Sequence, residues 1–273
     1  MAMRWPNGAR CAVFMGFDFD AETLWLSRDL DNENRLATMS LGTYGAKVGV
    51  PKILELLRQE SLPATFFVPG WTAERHTGLV ETIARDGHEI GHHGYLHVWP
   101  DYKNHAQAED EVMQGLESLQ RTVGARPVGY RSPGGESHQE LLDLLQAEGF
   151  LYDSSFKDDI VPYRQVNPDG SPGLIELPEN PSVDDTVYGL SHLKTPRPIF
   201  GREHVLEIWR EEFLMTREWG GLFTMVLHPQ CTGRPMRMAI LRDFIAFTRE
   251  FDDVWYATGE QIARAFAEQE TGA

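Results

Sequence analysis

The chain has 273 residues, of which 41% are hydrophobic and 24% charged, and its formal net charge is −16. This composition is typical of a globular protein that can bury a sizeable core. Because 41 acidic residues face only 25 basic ones and no basic run occurs, neither nucleic acid nor a membrane surface is an expected partner.

The chain carries no pattern typical of export or membrane insertion. No stretch approaches the run of about eighteen apolar residues that a membrane-spanning helix needs. The N-terminal stretch MAMRWPNGARCAVFMGFDFD lacks the long apolar run and the small-residue cleavage site of a signal peptide. The two cysteines, Cys11 and Cys231, are too few for a disulfide framework. We therefore expect a cytoplasmic protein.

Short apolar runs alternate with stretches of helical period, which favours βα units around a parallel sheet. Strands are predicted in the segments 11–19, 64–70, 88–94, 127–133, 150–155, 174–178, 222–229 and 254–258. Helices are predicted in the segments 51–60, 79–87, 108–122, 137–149, 203–221 and 236–250. This element order suits a distorted (β/α) barrel better than an open doubly wound sheet. We expect an α/β fold in which residues 1–273 form one barrel domain.

Two segments lack a regular period, residues 20–48 and residues 156–203. The second is rich in Pro, Gly and Asp. Long ordered segments at one end of a barrel often shape a binding site. They are equally consistent with plain surface loops, so both interpretations stay open at this stage.

The segment HEIGHHGYLH, residues 88–97, allows two interpretations. In the first, the motif H-E-x-x-H from His88 to His92 has the spacing of a zinc protease helix. Gly91 and Gly94 would interrupt such a helix, and the longer extension of that motif is missing. A zinc protease is therefore the less favoured alternative.

In the second interpretation, His93 and His97 lie one helical turn apart and converge on one metal ion. Two histidines are not a site by themselves, so a third ligand is needed. Asp18 and Asp20 follow the most apolar strand, and side chains two apart in an extended chain point to the same face. Two neighbouring carboxylates repel each other unless a cation or a proton accounts for them. The sequence therefore indicates an acidic site next to the histidines.

Five motifs in chain order resemble the polysaccharide deacetylase family, also called the NodB-homology family or carbohydrate esterase family four. They are FDFD at 17–20, HGYLH at 93–97, RSPGG at 131–135, YDSS at 152–155 and LHP at 227–229. Each follows or ends a predicted strand, at the edge where a βα barrel assembles its catalytic groups. The resemblance covers nearly the whole chain and implies a metal-dependent amide hydrolase.

The family pattern, matched residue by residue, implies a division of roles at the metal. Asp20, His93 and His97 would be the metal ligands, with open positions for water and the substrate carbonyl. Asp18 would be the general base. Arg131 would keep Asp18 ionised and oriented through a charged hydrogen bond.

The remaining roles concern the departing nitrogen. His228 would be the general acid that protonates it, and Asp153 would be a carboxylate that supports the site or orients that acid. Each residue also has an ordinary structural interpretation: Arg131 as a salt-bridge donor, His228 as a core histidine and Asp153 as a turn former. The set as a whole suits amide hydrolysis, which needs an activated water, a stabilised oxyanion and a protonated leaving amine.

The D-F-D spacing of the first motif resembles a subgroup that contains intracellular peptidoglycan-deacetylase-like proteins, cyclic imide hydrolases and allantoinases. The fourth motif is followed by Phe156 instead of the tryptophan common in sugar deacetylases. We therefore expect a small linear or cyclic amide or imide as substrate. The alternatives are N-deacetylation of an acetylated amino sugar or peptidoglycan-type polysaccharide, and a ligand-binding barrel without catalysis.

The cofactor implied by the resemblance is a divalent metal ion. Zinc suits one carboxylate and two imidazoles, and manganese, cobalt, nickel and iron suit the same mixture of oxygen and nitrogen ligands. The resembled subgroup is often oligomeric, so a homo-oligomer is a further open expectation.

Overall fold

Within residues 3–191 and 196–272, which the computed structural model describes, nine strands form one sheet curled into half of a barrel. The strands are β1 (Cys11–Asp18), β2 (Thr65–Val68), β3 (Glu89–His92), β4 (Gly129–Tyr130), β5 (Tyr152–Asp153), β6 (Tyr163–Val166), β7 (Pro172–Glu176), β8 (Leu222–Leu227) and β9 (Val254–Ala257). Their order is β6-β7-β5-β4-β3-β2-β1-β8, and β9 pairs with the first half of β1. The pairings are parallel apart from that of β6 with β7. The predicted distorted (β/α) barrel is confirmed.

Helices surround this sheet. They are α1 (Thr23–Leu26), α2 (Leu36–Tyr44), α3 (Val50–Glu60), α4 (Gly70–Arg75), α5 (Thr77–Arg85), α6 (His105–Val123), α7 (Gln139–Ala147), α8 (Thr186–Gly189), α9 (Arg202–Trp219), α10 (Pro229–Thr232), α11 (Pro235–Thr248) and α12 (Gly259–Thr271). Local chemistry sets their ends: the Asn104 side chain accepts a hydrogen bond from the backbone N–H of Gln107 at the start of α6. Among the described helices, none combines the length and the apolar character that crossing a membrane requires.

The central strand β1 is buried along its whole length. Val13, Met15 and Phe17 pack in the larger apolar cluster, and Ala12 and Phe14 pack in a second one on the other face. The sequence of a strand that is buried on both faces is a continuous run of apolar residues, and the segment CAVFMGF has this pattern. This burial fixes the backbone of β1 up to its carboxyl end, where the first acidic residue lies.

The carboxyl ends of the parallel strands meet at one edge of the sheet. The register pairs Asp18 of β1 with Phe67 of β2, and His92 of β3 with Tyr130 of β4. On the other side of β1, Phe17 pairs with Leu227 of β8. Residues that follow β1, β3, β4 and β8 are therefore brought to the same edge, as expected for a βα barrel.

Several details differ from the sequence-based expectations. Strand β6 forms an antiparallel hairpin with β7 inside the segment 156–203, which was expected to be irregular. The segment 20–48 contains α1, α2 and most of a π-helical turn over Gly45–Gly49. The zinc protease interpretation is wrong, because His88 to His92 lie on the approach to β3 and within that strand, not on a helix.

Candidate active site

Three nitrogen and oxygen donors converge at the carboxyl edge of the sheet. Asp20 Oδ1 lies 3.5 Å from His93 Nε2 and 3.6 Å from His97 Nε2. All three residues are buried. Zinc binds imidazole and carboxylate at about 2.0–2.2 Å, so donors in adjacent coordination positions stand roughly 3–3.6 Å apart. The spacing of the three donors matches that requirement.

A tight loop after β3, not a helical turn, brings the two imidazoles together. Gly94 has a φ of 73° and His97 a φ of 63°, so both residues adopt left-handed backbone conformations that a helical turn does not contain. The carboxylate of Glu111 in α6 accepts hydrogen bonds from the backbone N–H groups of Tyr95 and Leu96 and fixes the loop. The expectation of one helical turn between the histidines was wrong, although their convergence was expected.

The protonation states of these residues fit a cation. His93 Nδ1 donates to the backbone carbonyl of Arg131 at 2.7 Å, which leaves the lone pair on Nε2, facing Asp20. Burial lowers the pKa of His93 to about 3 and that of His97 well below its usual value, so both rings are neutral. Burial also raises the pKa of Asp20 to about 7, and its Oδ1 lacks a hydrogen-bond partner among the described residues. A divalent cation would satisfy that oxygen and favour the ionised carboxylate.

Asp18 is held by a buried arginine. Arg131 Nη1 donates to Asp18 Oδ1 at 2.8 Å, and Arg131 Nε forms an ion pair with Glu179 Oε1 at 2.9 Å. Asp18 Oδ2 lies 3.9 Å from His93 Nε2 and 3.8 Å from His228 Nε2, and Asp18 lines the cavity above the site. The carboxylate thus has one oxygen tied to the guanidinium and the other directed toward the imidazoles.

A second charged pair lies across from Asp18. His228 Nδ1 donates to Asp185 Oδ1 at 2.7 Å, and Asp185 Oδ2 accepts from the His228 backbone N–H at 2.9 Å and from Thr232 Oγ1 at 2.5 Å. Burial alone would lower the pKa of His228, but the charge and hydrogen bond of Asp185, with the charges of Asp20 and Asp18, raise it well above its usual value. His228 is therefore an imidazolium whose Nε2 faces the two aspartates.

The expectation that Asp153 orients the acid is not met by this geometry, since Asp185 makes that contact. Asp153 is fully buried at the end of β5, and its Oδ1 accepts from Ser155 Oγ at 2.6 Å. Ser155 Oγ in turn accepts from the backbone N–H of Ser132, the residue after Arg131. Asp153 therefore supports the backbone beneath the site.

Sequence reasoning missed Asp185 and Glu179. Both lie in the segment 156–203, and local periodicity gives no signal there that links either residue to its partner. Asp184, the neighbour of Asp185, forms an isolated parallel bridge with Val226 of β8, and this contact delivers Asp185 to His228. A long-range contact of this kind is not encoded in any local pattern.

A cavity of about 210 Å³ opens above these residues. Both segments that lacked a period contribute to it, so they shape the site and are not plain surface loops. Residues 20–48 provide Leu24 and Arg28, and residues 156–203 provide a larger group. That group is Lys157, Glu179, Asp184, Thr186, Leu190 and Arg197.

Residues 42–152 match the family model described as polysaccharide deacetylase. A relative named peptidoglycan deacetylase, from Helicobacter pylori, is 29% identical over 93% of this chain and 95% of its own length. A solved structure titled Puue allantoinase is 25% identical with a TM-score of 0.85, over 97% of this chain and 93% of that one.

A solved structure titled putative polysaccharide deacetylase, from Mycobacterium smegmatis, extends this similarity to almost the entire fold. It is 40% identical with a TM-score of 0.92, and the match covers 98% of this chain and 94% of that one. The chain belongs to the polysaccharide deacetylase family.

Proposed function

We propose that the protein is a metal-dependent hydrolase of a non-peptide amide bond, and that its reaction is the removal of an acetyl group from an acetylated amine such as an amino sugar. One observation carries this proposal. A carboxylate held by an arginine and an imidazolium held by a carboxylate flank a cluster of three metal-type donors in one cavity.

Asp20, His93 and His97 would hold the cation. A divalent ion at these donors would lower the pKa of a bound water and polarise the substrate carbonyl. One carboxylate and two imidazoles suit zinc, and also manganese, cobalt, nickel or iron.

Asp18 would serve as the general base. Its Oδ1 is committed to Arg131 at 2.8 Å, so Oδ2 is the oxygen that can accept the proton of the attacking water. The buried guanidinium also fixes the orientation of the carboxylate through a charged hydrogen bond. Glu179 shares that guanidinium and restricts its orientation.

His228 would serve as the general acid. Its Nδ1–H is taken by Asp185, so the Nε2–H is free to protonate the departing amine. The same carboxylate holds the backbone of His228, which limits movement of the ring. Amines leave poorly as anions, so this proton is needed for carbon–nitrogen cleavage.

The relatives support deacetylation over the cyclic imide hydrolysis that the sequence favoured. The family model and the relatives from Helicobacter pylori and Mycobacterium smegmatis all carry the word deacetylase in their descriptions. Ring opening of a small cyclic amide is the second candidate, supported by the likeness to the Puue allantoinase structure and by a cavity of small-molecule size.

The test is a turnover screen of the zinc-loaded protein. We expect acetate release from N-acetylated amino sugars or their oligomers, with slower or no ring opening of allantoin, hydantoin and succinimide. The Asp18→Asn variant should retain zinc while its turnover falls by at least about a hundredfold, as for loss of a general base. Turnover of none of these substrates, or normal turnover by Asp18→Asn, would contradict the proposal.

A further inference from the structure

Two arginines line the cavity that contains the candidate active site. Arg28 follows α1, and Arg197 follows the segment 192–195, which lies outside the described residues. Within the described part of the chain, neither guanidinium forms an ion pair with a carboxylate. Among the described residues, the one side-chain hydrogen bond of the pair runs from Arg197 Nη1 to the backbone carbonyl of Thr186, at 3.1 Å. As far as residues 3–191 and 196–272 are concerned, most of their N–H groups are therefore available to a ligand.

The other three cations of the cavity are already paired with carboxylates, and one of them is the His228 imidazolium, which pairs with Asp185. Arg131 pairs with Asp18 and Glu179, and Lys157 pairs with Glu179 at 3.3 Å. Arg28 and Arg197 are therefore the cations of the cavity that have no ion-paired carboxylate within the described residues.

The two guanidiniums also act on each other. Burial lowers the pKa of Arg28, and the positive charge of Arg197 lowers it further, against a smaller opposing effect of the Asp20 charge. Like charges placed side by side are unfavourable unless an anion lies between or beside them. In a chain whose net charge is −16, such a pair stands out against the general excess of acidic residues.

We propose that Arg28 and Arg197 form a carboxylate-binding subsite, so that the substrate is an amide that carries a carboxylate away from the bond to be cleaved. This inference rests on the proposed amide hydrolysis and specifies its substrate class. Guanidinium groups bind carboxylates through paired hydrogen bonds in a fixed plane, which positions the ligand as well as attracting it. A cavity of about 210 Å³ suits a small acid or one sugar unit that carries an acid group.

Two matched pairs of substrates isolate the carboxylate. N-acetyl-β-alanine and its neutral amide share one skeleton, and N-acetylmuramic acid and N-acetylglucosamine share one sugar. Acetate release is the common readout. We expect the acidic member of at least one pair to have a kcat/KM at least about tenfold higher. A higher kcat/KM for the acidic member in both pairs would indicate that the natural substrate is a small free acid. A higher value in the sugar pair alone would indicate that the substrate is a sugar acid.

Arg28→Gln is the cleaner variant, because the side chain of Arg28 forms no hydrogen bond or ion pair with the residues that the structure describes. It should lower kcat/KM for the acidic member at least about tenfold and change the neutral member less than about twofold. Arg197→Gln should act in the same direction. The matched control is Arg35→Gln, an exposed arginine outside the cavity, which should change neither substrate.

Equal turnover of acidic and neutral members by the unaltered protein would overturn the inference while leaving the proposed function intact. An equal loss for both members in Arg28→Gln would also overturn it, since that pattern marks a structural role. Acetate release from none of the four would contradict the proposed function. Calorimetric titration then tests the subsite alone: weaker binding of the acidic members to Arg28→Gln than to the unaltered protein supports it, and equal binding overturns it.

Discussion

Asp18 and Asp20 are two residues apart, yet their surroundings assign them different chemistry. Asp20 is fully buried and faces two neutral imidazoles, whereas Asp18 has a guanidinium on one oxygen. A carboxylate among neutral imidazoles is suited to hold a cation, and a carboxylate with one oxygen bonded to arginine has its other oxygen directed into the site. The alternation of β1 and its extension places both at one edge, which the sequence did predict.

The first prediction concerns the proposed cation site. His97→Ala removes one of three donors and should lower zinc affinity at least about a hundredfold, the scale on which even supporting contacts affect metal sites. The control is His88→Ala, whose ring packs on Phe66 away from the site. Metal content after dialysis against a weak chelator is the measurement. Equal zinc loss in both variants would contradict the assignment of the ligands.

The second prediction concerns the orientation and charge of His228. Asp185→Asn removes the negative charge that raises the pKa of the imidazolium, so that pKa should fall. The acid form would then be lost at lower pH, and the alkaline limb of the kcat profile should move to lower pH. Turnover at neutral pH should fall by about ten- to a hundredfold.

The control for that experiment is Asp169→Asn, an exposed carboxylate in the turn between β6 and β7. It should leave both the position of the alkaline limb and the turnover unchanged. A loss of turnover in Asp185→Asn without any shift of the alkaline limb would mean that Asp185 only supports the fold.

At the scale of elements, the spacing of apolar residues predicted the helices and strands that bury an apolar face. The six predicted helices are present, and each of the eight predicted strands overlaps an observed one. Strand β6, with the sequence YRQV, is only partly buried, so its pattern carries little apolar signal. The contacts that β6 and Asp185 make depend on distant segments, and a local pattern cannot specify them.

The candidate site at the carboxyl edge of the sheet also depends on a glycine within β1, Gly16. A Cβ atom at Gly16 would lie 2.5 Å from Arg131 Nη1 and 2.9 Å from Arg131 Nη2. The glycine therefore leaves room for the guanidinium that holds Asp18. Gly16 gave no signal in the sequence, because its function is evident only when β4 and β1 are seen together.

The third prediction follows from this close approach. Gly16→Ala should displace Arg131 and reduce stability by about 1–3 kcal/mol, the usual cost of overpacking a core. Turnover should fall as well, since Asp18 would lose its fixed partner. The control is Gly78→Ala in α5, where a Cβ meets nothing within 4 Å and alanine favours the helix. Denaturant unfolding of both variants checks the prediction, and equal stability would contradict it.

At the scale of the whole molecule, charge and cavity size point to a small ligand. A net charge of −16 disfavours approach of a long polyanion, whereas a single carboxylate can be received by a local pair of arginines inside the cavity. The net negative charge of the protein and the two arginines of the cavity would therefore act on different properties of a substrate, its total charge and the position of a single carboxylate. The negative field would disfavour extended anionic chains, and the proposed pair of arginines would bind one anionic group.

The fourth prediction concerns the pH dependence of global stability. Asp153 and Glu176 are fully buried neighbours on β5 and β7. Burial raises the pKa of Asp153 to about 6, and burial with the charge of Asp153 raises that of Glu176 well above its usual value. A carboxyl whose folded-state pKa is raised stabilises the fold at low pH, and this contribution is lost as pH rises through the folded-state pKa.

Glu176→Gln replaces the titrating group with a neutral amide and should remove that loss. Its unfolding free energy relative to the unaltered chain should therefore increase between about pH 5 and about pH 8, by at least about 1 kcal/mol. Titrating sites away from this pair contribute equally to both chains and cancel in the difference, which therefore reports the joint titration of Glu176 and Asp153. Glu81→Gln, an exposed position on α5, should give a difference that does not change with pH. Urea unfolding across this range is the measurement, and a pH-independent difference for Glu176→Gln would mean that the buried carboxyl does not titrate there.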